Sequence, residues 1–370
     1  LLRCILISGF CVGMLLSYPL WLVEHRIHPL IPALSGLSLP FVFHIGLFAL
    51  VVLCGVFVLA LPRYRKSSYL VMVCLVLFLI ILDVSRFQPW VYYYLILLVP
   101  CLTNDADSKQ GLRLAGLGLA LIYIGSGWQK LNATFNYETL PWLMEPFEHV
   151  ISHEFLISYG IGWFVATIEL AAGVLILFRK TQRLGCVILI VMHLFILASL
   201  GPTGRSFNRV VWPWNISFCI LLFAVFQAQP VTLIQWNASL TQKPIQWVFL
   251  VLLGVLPLLS TVGLWPKQAS HALYSGNKVR STLFFSDSIA QSFPTHLQQE
   301  LDNQDLSMDM NNFMLATLRV PPYPSTWYHK RVFRALCEEA VNEFDVVLTL
   351  YYEPTLTSIN RTEETLFCSD

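Results

Sequence analysis

Nine hydrophobic segments follow one another over the first 265 residues, and they leave this chain few ways to fold. They span residues 4–23, 39–61, 69–82, 90–102, 112–128, 155–178, 184–200, 211–226 and 245–265. A transmembrane helix needs roughly 20 apolar residues, and a helix satisfies its own backbone hydrogen bonds inside a bilayer. Because segment 90–102 is short and suits a tilted or partly re-entrant helix, we expect an all-α polytopic bundle with eight or nine transmembrane helices.

The composition points to a lipid environment for most of the chain. Hydrophobic residues make up 56% of the 370 residues and charged residues only 12%. The mean hydropathy is +0.63, far above that of an ordinary soluble domain. A net charge of +1 without a basic cluster on an aromatic surface argues against a nucleic-acid partner. The lipid bilayer is the partner that the sequence predicts.

Basic residues predict the orientation of the bundle. They concentrate in three loops, at Arg63, Arg65 and Lys66, at Lys109 and Arg113, and at Arg179, Lys180 and Arg183. Because Lys and Arg are enriched in cytoplasmic loops, nine crossings place the N-terminus inside and the loop 131–154 outside. We interpret segment 4–23 as a retained anchor helix, and we expect a protein of the bacterial inner (plasma) membrane.

The composition becomes polar after Trp265, which divides the chain into a transmembrane domain at 1–265 and a small extracytoplasmic α/β domain at 266–370. Residues 281–285 and 345–352 are predicted to be strands, the second because its apolar residues alternate, and an apolar stripe predicts a helix at 327–344. Cys337 and Cys368 could pair there in an oxidising compartment. The proline-stiffened segment 318–324 is a candidate surface for an envelope protein partner.

A lysine at the end of a hydrophobic segment is the first candidate functional residue. Lys130 shares one helix face with Gly127, Ser126 and Tyr123, which lie three, four and seven positions earlier. This face of small and polar groups can approach a ligand or another helix closely. The alternative is a lysine whose side chain extends to the membrane surface.

Glu169 and His193 lie in two successive hydrophobic segments, on either side of the basic turn at 179–183. Each is nine residues from the end of its segment at that turn, so at ~1.5 Å per residue both lie ~13 Å deep. The equal depth predicts a buried pair in which the carboxylate orients the imidazole. A purely structural hydrogen bond between the two helices is the alternative.

A polar loop between residues 201 and 215 interrupts the hydrophobic pattern and presents several candidate ligand-binding side chains. They are Arg205, Asn208, Arg209, Trp212 and Asn215. Arginines can hold an anion or a quinone oxygen, whereas an aromatic belt at the membrane surface would need no ligand. Elsewhere, Asp83 and Arg86 are spaced for a local ion pair. No metal site is predicted, because His149 and His153 lack a third ligand.

The candidate residues also carry a family resemblance. The motifs are Tyr123-x-x-x-Gly-x-x-Lys130-Leu-Asn-Ala, Trp142-Leu-Met-Glu-Pro-Phe, Glu169-Leu-Ala-Ala-Gly and His193. By these motifs, residues 45–226 resemble the horizontally transferred transmembrane (HTTM) domain of vitamin K-dependent gamma-carboxylases. The resemblance implies that Lys130 deprotonates a reduced quinone near the external face. Because the segment from Asp83 to Trp90 contains no histidine where the animal enzyme has one, and the large propeptide-binding region is absent, a classical vitamin K-dependent substrate is not expected.

Together these observations predict a pocket that opens to the external side. We expect Lys130, Glu169 and His193 to be its catalytic residues, with Tyr123 and Trp142 among those that bind a quinone or lipid ligand. The enzyme would be carboxylase-like, a lyase, or otherwise quinone-dependent. Two alternatives stay open at this point, a non-catalytic anchor that presents the C-terminal domain to a partner and a proton-coupled transporter.

Overall fold

The structure is a computed structural model of the whole chain. It describes residues 1–369 except 25, 35, 38, 104–108, 225–243, 303 and 339. The end of the predicted segment 211–226 therefore lies outside the described residues. Within them the chain is mostly helical, with a small antiparallel sheet near the C-terminus.

Helices dominate the first 262 residues. They are α1 (Leu2–Leu16), α2 (Tyr18–Trp21), α3 (Phe41–Ala60), α4 (Arg65–Leu82), α5 (Pro89–Thr103), α6 (Lys109–Gln129), α7 (Leu140–Met144), α8 (His153–Ser158), α9 (Ile161–Leu175), α10 (Gln182–Leu200), α11 (Val211–Leu222) and α12 (Pro244–Leu250). After α12 the chain continues as a π-helical turn at Val251–Val255 and a 3-10 helix at Leu256–Val262. Another π-helical turn, Phe135–Thr139, precedes α7.

The helices differ in length relative to a bilayer. Four are long and apolar enough to cross one, at Phe41–Ala60, Pro62–Leu82, Gly111–Gln129 and Gln182–Leu200. Shorter apolar helices lie at Leu2–Leu16, Pro89–Pro100, Ile161–Leu175, Val211–Leu222 and Gln246–Val262. Since these contain fewer than the roughly 20 residues of a full span, the count of eight or nine crossings stays a prediction.

The outer faces of α3 and α4 are apolar and exposed. Phe43 and Leu53 of α3 and Leu70 and Leu77 of α4 each expose more than a third of their surface. Water would make such a face unfavourable, whereas acyl chains solvate it. These faces are therefore suited to contact with the lipid bilayer.

Glycines bring α6 and α9 unusually close together. A Cβ atom added to Gly127 would lie 2.4 Å from the backbone nitrogen of Leu170, and one on Gly173 would lie 2.7 Å from that of Ile124. Small residues at such a crossing let two helix backbones approach. The approach brings the last turn of α6 against the middle of α9.

The C-terminal region forms a sheet with helices packed against it. Its strands are β1 (Arg280–Phe285), β2 (Ser307–Asp309), β3 (Val346–Tyr351) and β4 (Glu363–Phe367), and the accompanying helices are α13 (Asp287–Ser292), α14 (Thr295–Gln298), α15 (Met310–Leu318) and α16 (Thr326–Cys337). The strand order is β2-β1-β3-β4, with every neighbouring pair antiparallel. The two predicted strands agree with β1 and β3, whereas β2 and β4 were not predicted because one is three residues long and the other begins with two glutamates.

Two sequence predictions about local structure need correction. The predicted helix 327–344 ends at Cys337 instead, because the carboxylate of Asp345 accepts hydrogen bonds from the backbone N–H groups of Val341 and Asn342 and holds a turn there. Cys337 and Cys368 form a disulfide, which joins the end of α16 to the residue after β4. The second correction concerns a local ion pair.

The predicted Asp83–Arg86 pair does not form. The carboxylate of Asp83 lies 2.7 Å from the guanidinium of Arg26 instead. Arg86 donates to the backbone carbonyls of Leu79 at 3.0 Å and Leu20 at 3.1 Å. Both side chains are fully buried, so each takes the partner that the packing of α2 and α4 supplies rather than its neighbour in sequence.

The C-terminal domain packs directly onto the helical bundle. The hydroxyls of Tyr328 and Ser85 lie 2.6 Å apart, and the Gln88 amide donates to the carbonyl of Pro321 at 3.0 Å. On another side, the backbone N–H of Ala133 donates to the carbonyl of Leu356 at 2.8 Å. The division into domains at residue 265 stays a prediction, because one hydrophobic core runs through both parts.

Candidate functional site

The Lys130 side chain turns back along α6 rather than outward. The helix ends at Gln129, where the side-chain amide of Asn132 donates to the Gln129 carbonyl at 2.8 Å. The Lys130 ammonium donates to the carboxylate of Glu169 at 2.5 Å and to the hydroxyl of Ser126 at 3.1 Å. With 9% and 4% of their side-chain surfaces exposed, Lys130 and Glu169 form a buried ion pair.

A chain of hydrogen bonds passes through His193 on the facing helix α10. Asn215 of α11 donates its amide to the carbonyl of Val211 at 2.7 Å, which leaves its side-chain oxygen as an acceptor. The Nδ1 atom of His193 lies 2.6 Å from that oxygen and therefore carries the hydrogen. Its Nε2 atom is then an acceptor, and the Tyr123 hydroxyl donates to it at 2.7 Å. The two contacts hold the His193 ring in one orientation between Tyr123 and Asn215.

The prediction that Glu169 pairs with His193 is wrong. Glu169 bonds to Lys130, while His193 bonds to Tyr123 and Asn215. A buried carboxylate is stabilised more by an ammonium than by a neutral ring. The close approach of α6 to α9 puts that ammonium within reach.

These groups nonetheless face one cavity, which we call the inner cavity. Its volume is about 90 Å³, and its polar lining includes Tyr123, Ser126, Lys130, Glu169, His193 and Asn215. Apolar side chains such as Ile122, Phe135 and Val165 form much of the remaining wall. The structure therefore brings five of the predicted site residues together around a mainly apolar space.

A larger, more polar cavity lies between the bundle and the C-terminal domain, and we call it the outer cavity. Its volume is about 470 Å³, and its lining includes Trp142, Asn208, Lys278, Arg280 and His329. Leu273 and Tyr274 line both cavities. Trp142 and Asn208, predicted for the same pocket as Lys130, therefore belong to the neighbouring space.

The remaining predicted ligand-binding residues line neither cavity. Arg205 donates to the carbonyl of Trp142 at 3.1 Å, lies 4.7 Å from the Trp142 ring centroid and is paired with Glu145. The Trp212 indole donates to the carbonyl of Leu200 at 2.8 Å, and Arg209 is exposed. Arg205 and Trp212 therefore hold the 201–210 loop in place.

Three residues at the inner cavity were not predicted from the sequence. The Tyr93 hydroxyl lies 2.7 Å from Nδ1 of His271, whose Nε2 lies 2.8 Å from the carbonyl of Leu253. Tyr274 adds a third aromatic ring beside them. Tyr93 could have been suspected from the sequence, because three consecutive tyrosines at 92–94 are unusual within an apolar helix. His271 and Tyr274 follow the last apolar helix in a segment without periodicity, so no pattern marks them.

Part of the chain matches a known protein family. Residues 111–201 match the family model for DoxX, a membrane-associated family. The matched stretch runs from α6 to α10 and includes Tyr123, Lys130, Glu169 and His193. No curated protein and no solved structure matches the chain.

This match corrects the expected resemblance to the HTTM domain of gamma-carboxylases, which is wrong. The motifs behind it were a lysine one turn after a serine and a glycine, a glutamate followed by a glycine, and a histidine. In the structure these residues make a close helix crossing around a buried ion pair, a packing solution that needs no carboxylase chemistry. The chain is a membrane protein, and from α6 to α10 it is similar to DoxX.

Proposed function

We propose that this membrane protein binds, in the inner cavity, the oxygen-bearing end of a membrane-soluble ligand, because about 90 Å³ admits only a small hydrogen-bond-accepting group. The observation that carries the proposal is the position of the Lys130–Glu169 pair at a cavity wall. An ammonium has three N–H donors, and that of Lys130 uses two, on Glu169 and Ser126. The third can bond to a ligand oxygen.

The surroundings of the pair favour a mainly apolar ligand. Most of the cavity wall is hydrocarbon or aromatic ring, and it lies among helices whose outer faces suit lipid. Small-molecule sites combine such a wall with a few fixed polar groups. Here Glu169 fixes the position of the ammonium, and Asn215 fixes the orientation of the His193 ring, so these polar groups are already in place before a ligand binds.

The position of segment 318–324 supports ligand binding over the scaffold alternative. Its Pro321 carbonyl accepts the hydrogen bond from Gln88, and the Tyr323 ring stacks on Phe87 with centroids 6.2 Å apart. A segment packed on the bundle offers less of its surface to a partner.

We further propose that the C-terminal domain is extracytoplasmic, and the Cys337–Cys368 disulfide supports this because such bonds persist in oxidising compartments.

Ligand retention tests the proposal. Wild-type protein and the variant Lys130→Met are purified in the same detergent, and the small molecules extracted from each are compared by mass spectrometry. We expect at least one compound to co-purify with the wild type and to be depleted from the variant. Lys180→Met, at an exposed lysine between α9 and α10, should retain it.

Lys130→Arg distinguishes loss of the ligand from loss of the fold, because it keeps a cation opposite Glu169. The variant should remain folded and bind the same compound more weakly, since a guanidinium is planar and bulkier than an ammonium. Identical extracts from the wild type and from folded Lys130→Met would refute the proposal.

A further inference from the structure

The outer cavity contains a cation that no described residue of the protein pairs with. Lys278 is half-buried and faces this cavity. Among the described residues, its ammonium has neither a hydrogen bond nor an ion pair. A partly desolvated ammonium without a counter-ion costs free energy. An unpaired charge in a cavity marks a candidate binding position.

The neighbouring charges are already engaged. Lys267 lies 2.5 Å from Glu353, and Arg280 lies 2.6 Å from Glu138. Asp309, which also lines the cavity, accepts a hydrogen bond from the backbone N–H of Asn311 at 2.7 Å and is attracted by the charge of Arg280. Glu353 attracts Lys278 at longer range, but its carboxylate is bonded to Lys267. The positive charge of Lys278 therefore remains open to a ligand.

The protonation of Lys278 is compatible with binding an anion. Burial, together with the nearby charge of Lys267, lowers the pKa of Lys278 to about 8. The side chain is still mainly protonated at neutral pH. A bound anion would stabilise the protonated form and raise this pKa.

The cavity supplies a second donor and sufficient space. The Tyr274 hydroxyl accepts the Asn208 amide at 3.4 Å, and this leaves its own hydrogen free to donate into the cavity. The volume of about 470 Å³ lies within the roughly 300–1,000 Å³ of small-molecule sites. A carboxylate or phosphate group fits these donors by charge and by hydrogen bonding.

We propose that the outer cavity is a second binding site, specific for a small molecule or head group that carries a carboxylate or phosphate, with Lys278 as its counter-ion. The site uses neither Lys130 nor Glu169, so this proposal can be tested independently of ligand binding in the inner cavity. Leu273 and Tyr274 form the wall between the two sites.

Equilibrium binding to full-length protein in detergent tests the site with three probes, inorganic phosphate, succinate and dihexanoyl phosphatidic acid. We expect at least one probe to bind the wild type and to bind Lys278→Met about tenfold or more weakly, the loss expected for a charge-assisted hydrogen bond. Lys330→Met removes a lysine of the same domain that is paired with Glu364, and it should leave the affinity unchanged. Binding of phosphate or succinate would identify a soluble anion as the ligand class, and binding of the phosphatidic acid alone would identify a lipid head group.

A labelling measurement on the wild type avoids any variant that fails to fold. Acetic anhydride modifies unprotonated amines, so Lys278, with its lowered pKa, should react quickly, and a bound probe should protect it. Peptide mass spectrometry reads the extent of modification at Lys278 and at Lys330. Equal modification of Lys278 with and without every probe, or equal probe affinity in wild type and Lys278→Met, would overturn the proposal.

Discussion

The ammonium of Lys130 lies 2.5 Å from the carboxylate of Glu169. The two residues face each other across a helix crossing that has room for glycine but for no larger residue. The two charges come from helices α6 and α9, and both are almost fully buried. In a low-dielectric environment each charge depends on the other, because neither has bulk water as an alternative partner. The pair therefore stabilises the crossing as well as lining the inner cavity.

Removing both members of this pair should cost less stability than the two single removals added together. Lys130→Met leaves the Glu169 carboxylate buried without its cation, and we expect the free energy of unfolding to fall by about 3–5 kcal/mol. The double variant Lys130→Met/Glu169→Met should lose less than the sum of the two single losses. Denaturant unfolding in detergent gives this double-mutant cycle, and strictly additive losses would show that the two residues do not interact.

The glycine crossing makes a second prediction. Gly127→Ala places a Cβ atom 2.4 Å from the Leu170 nitrogen, so α6 and α9 must separate, and we expect a loss of about 1–3 kcal/mol. The matched control is Gly46→Ala in α3, where nothing lies within 4 Å of the added atom. The melting temperature in detergent should fall for the first variant and stay constant or rise for the second. Equal melting temperatures would mean that the crossing is looser than described.

The disulfide gives a third prediction, which also tests the proposed extracytoplasmic position. Protein isolated with its thiols blocked and then denatured should accept two further maleimide groups after reduction. Intact-mass spectrometry measures this gain, and the variant Cys337→Ser/Cys368→Ser should lack it. Breaking the bond should also lower the stability of the C-terminal domain by about 2–4 kcal/mol. Protein that shows no gain of label after isolation from cells would contradict an oxidising location.

Buried histidines outside the membrane helices predict destabilisation by acid. Burial, with the nearby charge of Arg26, lowers the pKa of His28 to about 3 against the opposing effect of Asp83, and burial lowers that of His329 to about 4. An imidazole in the unfolded chain has a pKa of about 6.5. Above that pH both states are neutral and these histidines add no pH dependence.

Below pH 6.5 the unfolded chain takes up protons that the folded chain does not, so stability falls as the pH falls toward the folded pKa. We expect about 1.4 kcal/mol per pH unit for each histidine between roughly pH 6 and pH 4. Melting temperatures across this interval measure the slope. His329→Gln should reduce it, whereas His153→Gln, at an exposed position, should not. An unchanged slope in His329→Gln would mean that His329 is protonated in the folded protein.

The hydrophobic segments alone were enough to predict a helical membrane protein, because a bilayer allows few other structures for such stretches. The alternation in β3, with the strand-like composition of β1, likewise predicted strands near the C-terminus. The spacing of Lys130 from Ser126 and Gly127 marked the helix face that lines the inner cavity. Each of these signals lies within one element, where geometry relates neighbours at fixed intervals.

The tertiary structure decided which side chains meet. Lys130 rather than His193 is the partner of Glu169, and His271 and Tyr274 join the inner cavity from beyond the last apolar helix. No counter-ion for Lys278 lies among the residues that the structure describes. Contacts of this kind depend on how closely helices distant in sequence approach each other and on which opposing charge lies within reach. A single sequence specifies these approaches only through the packing of the whole chain, so no local pattern reveals them.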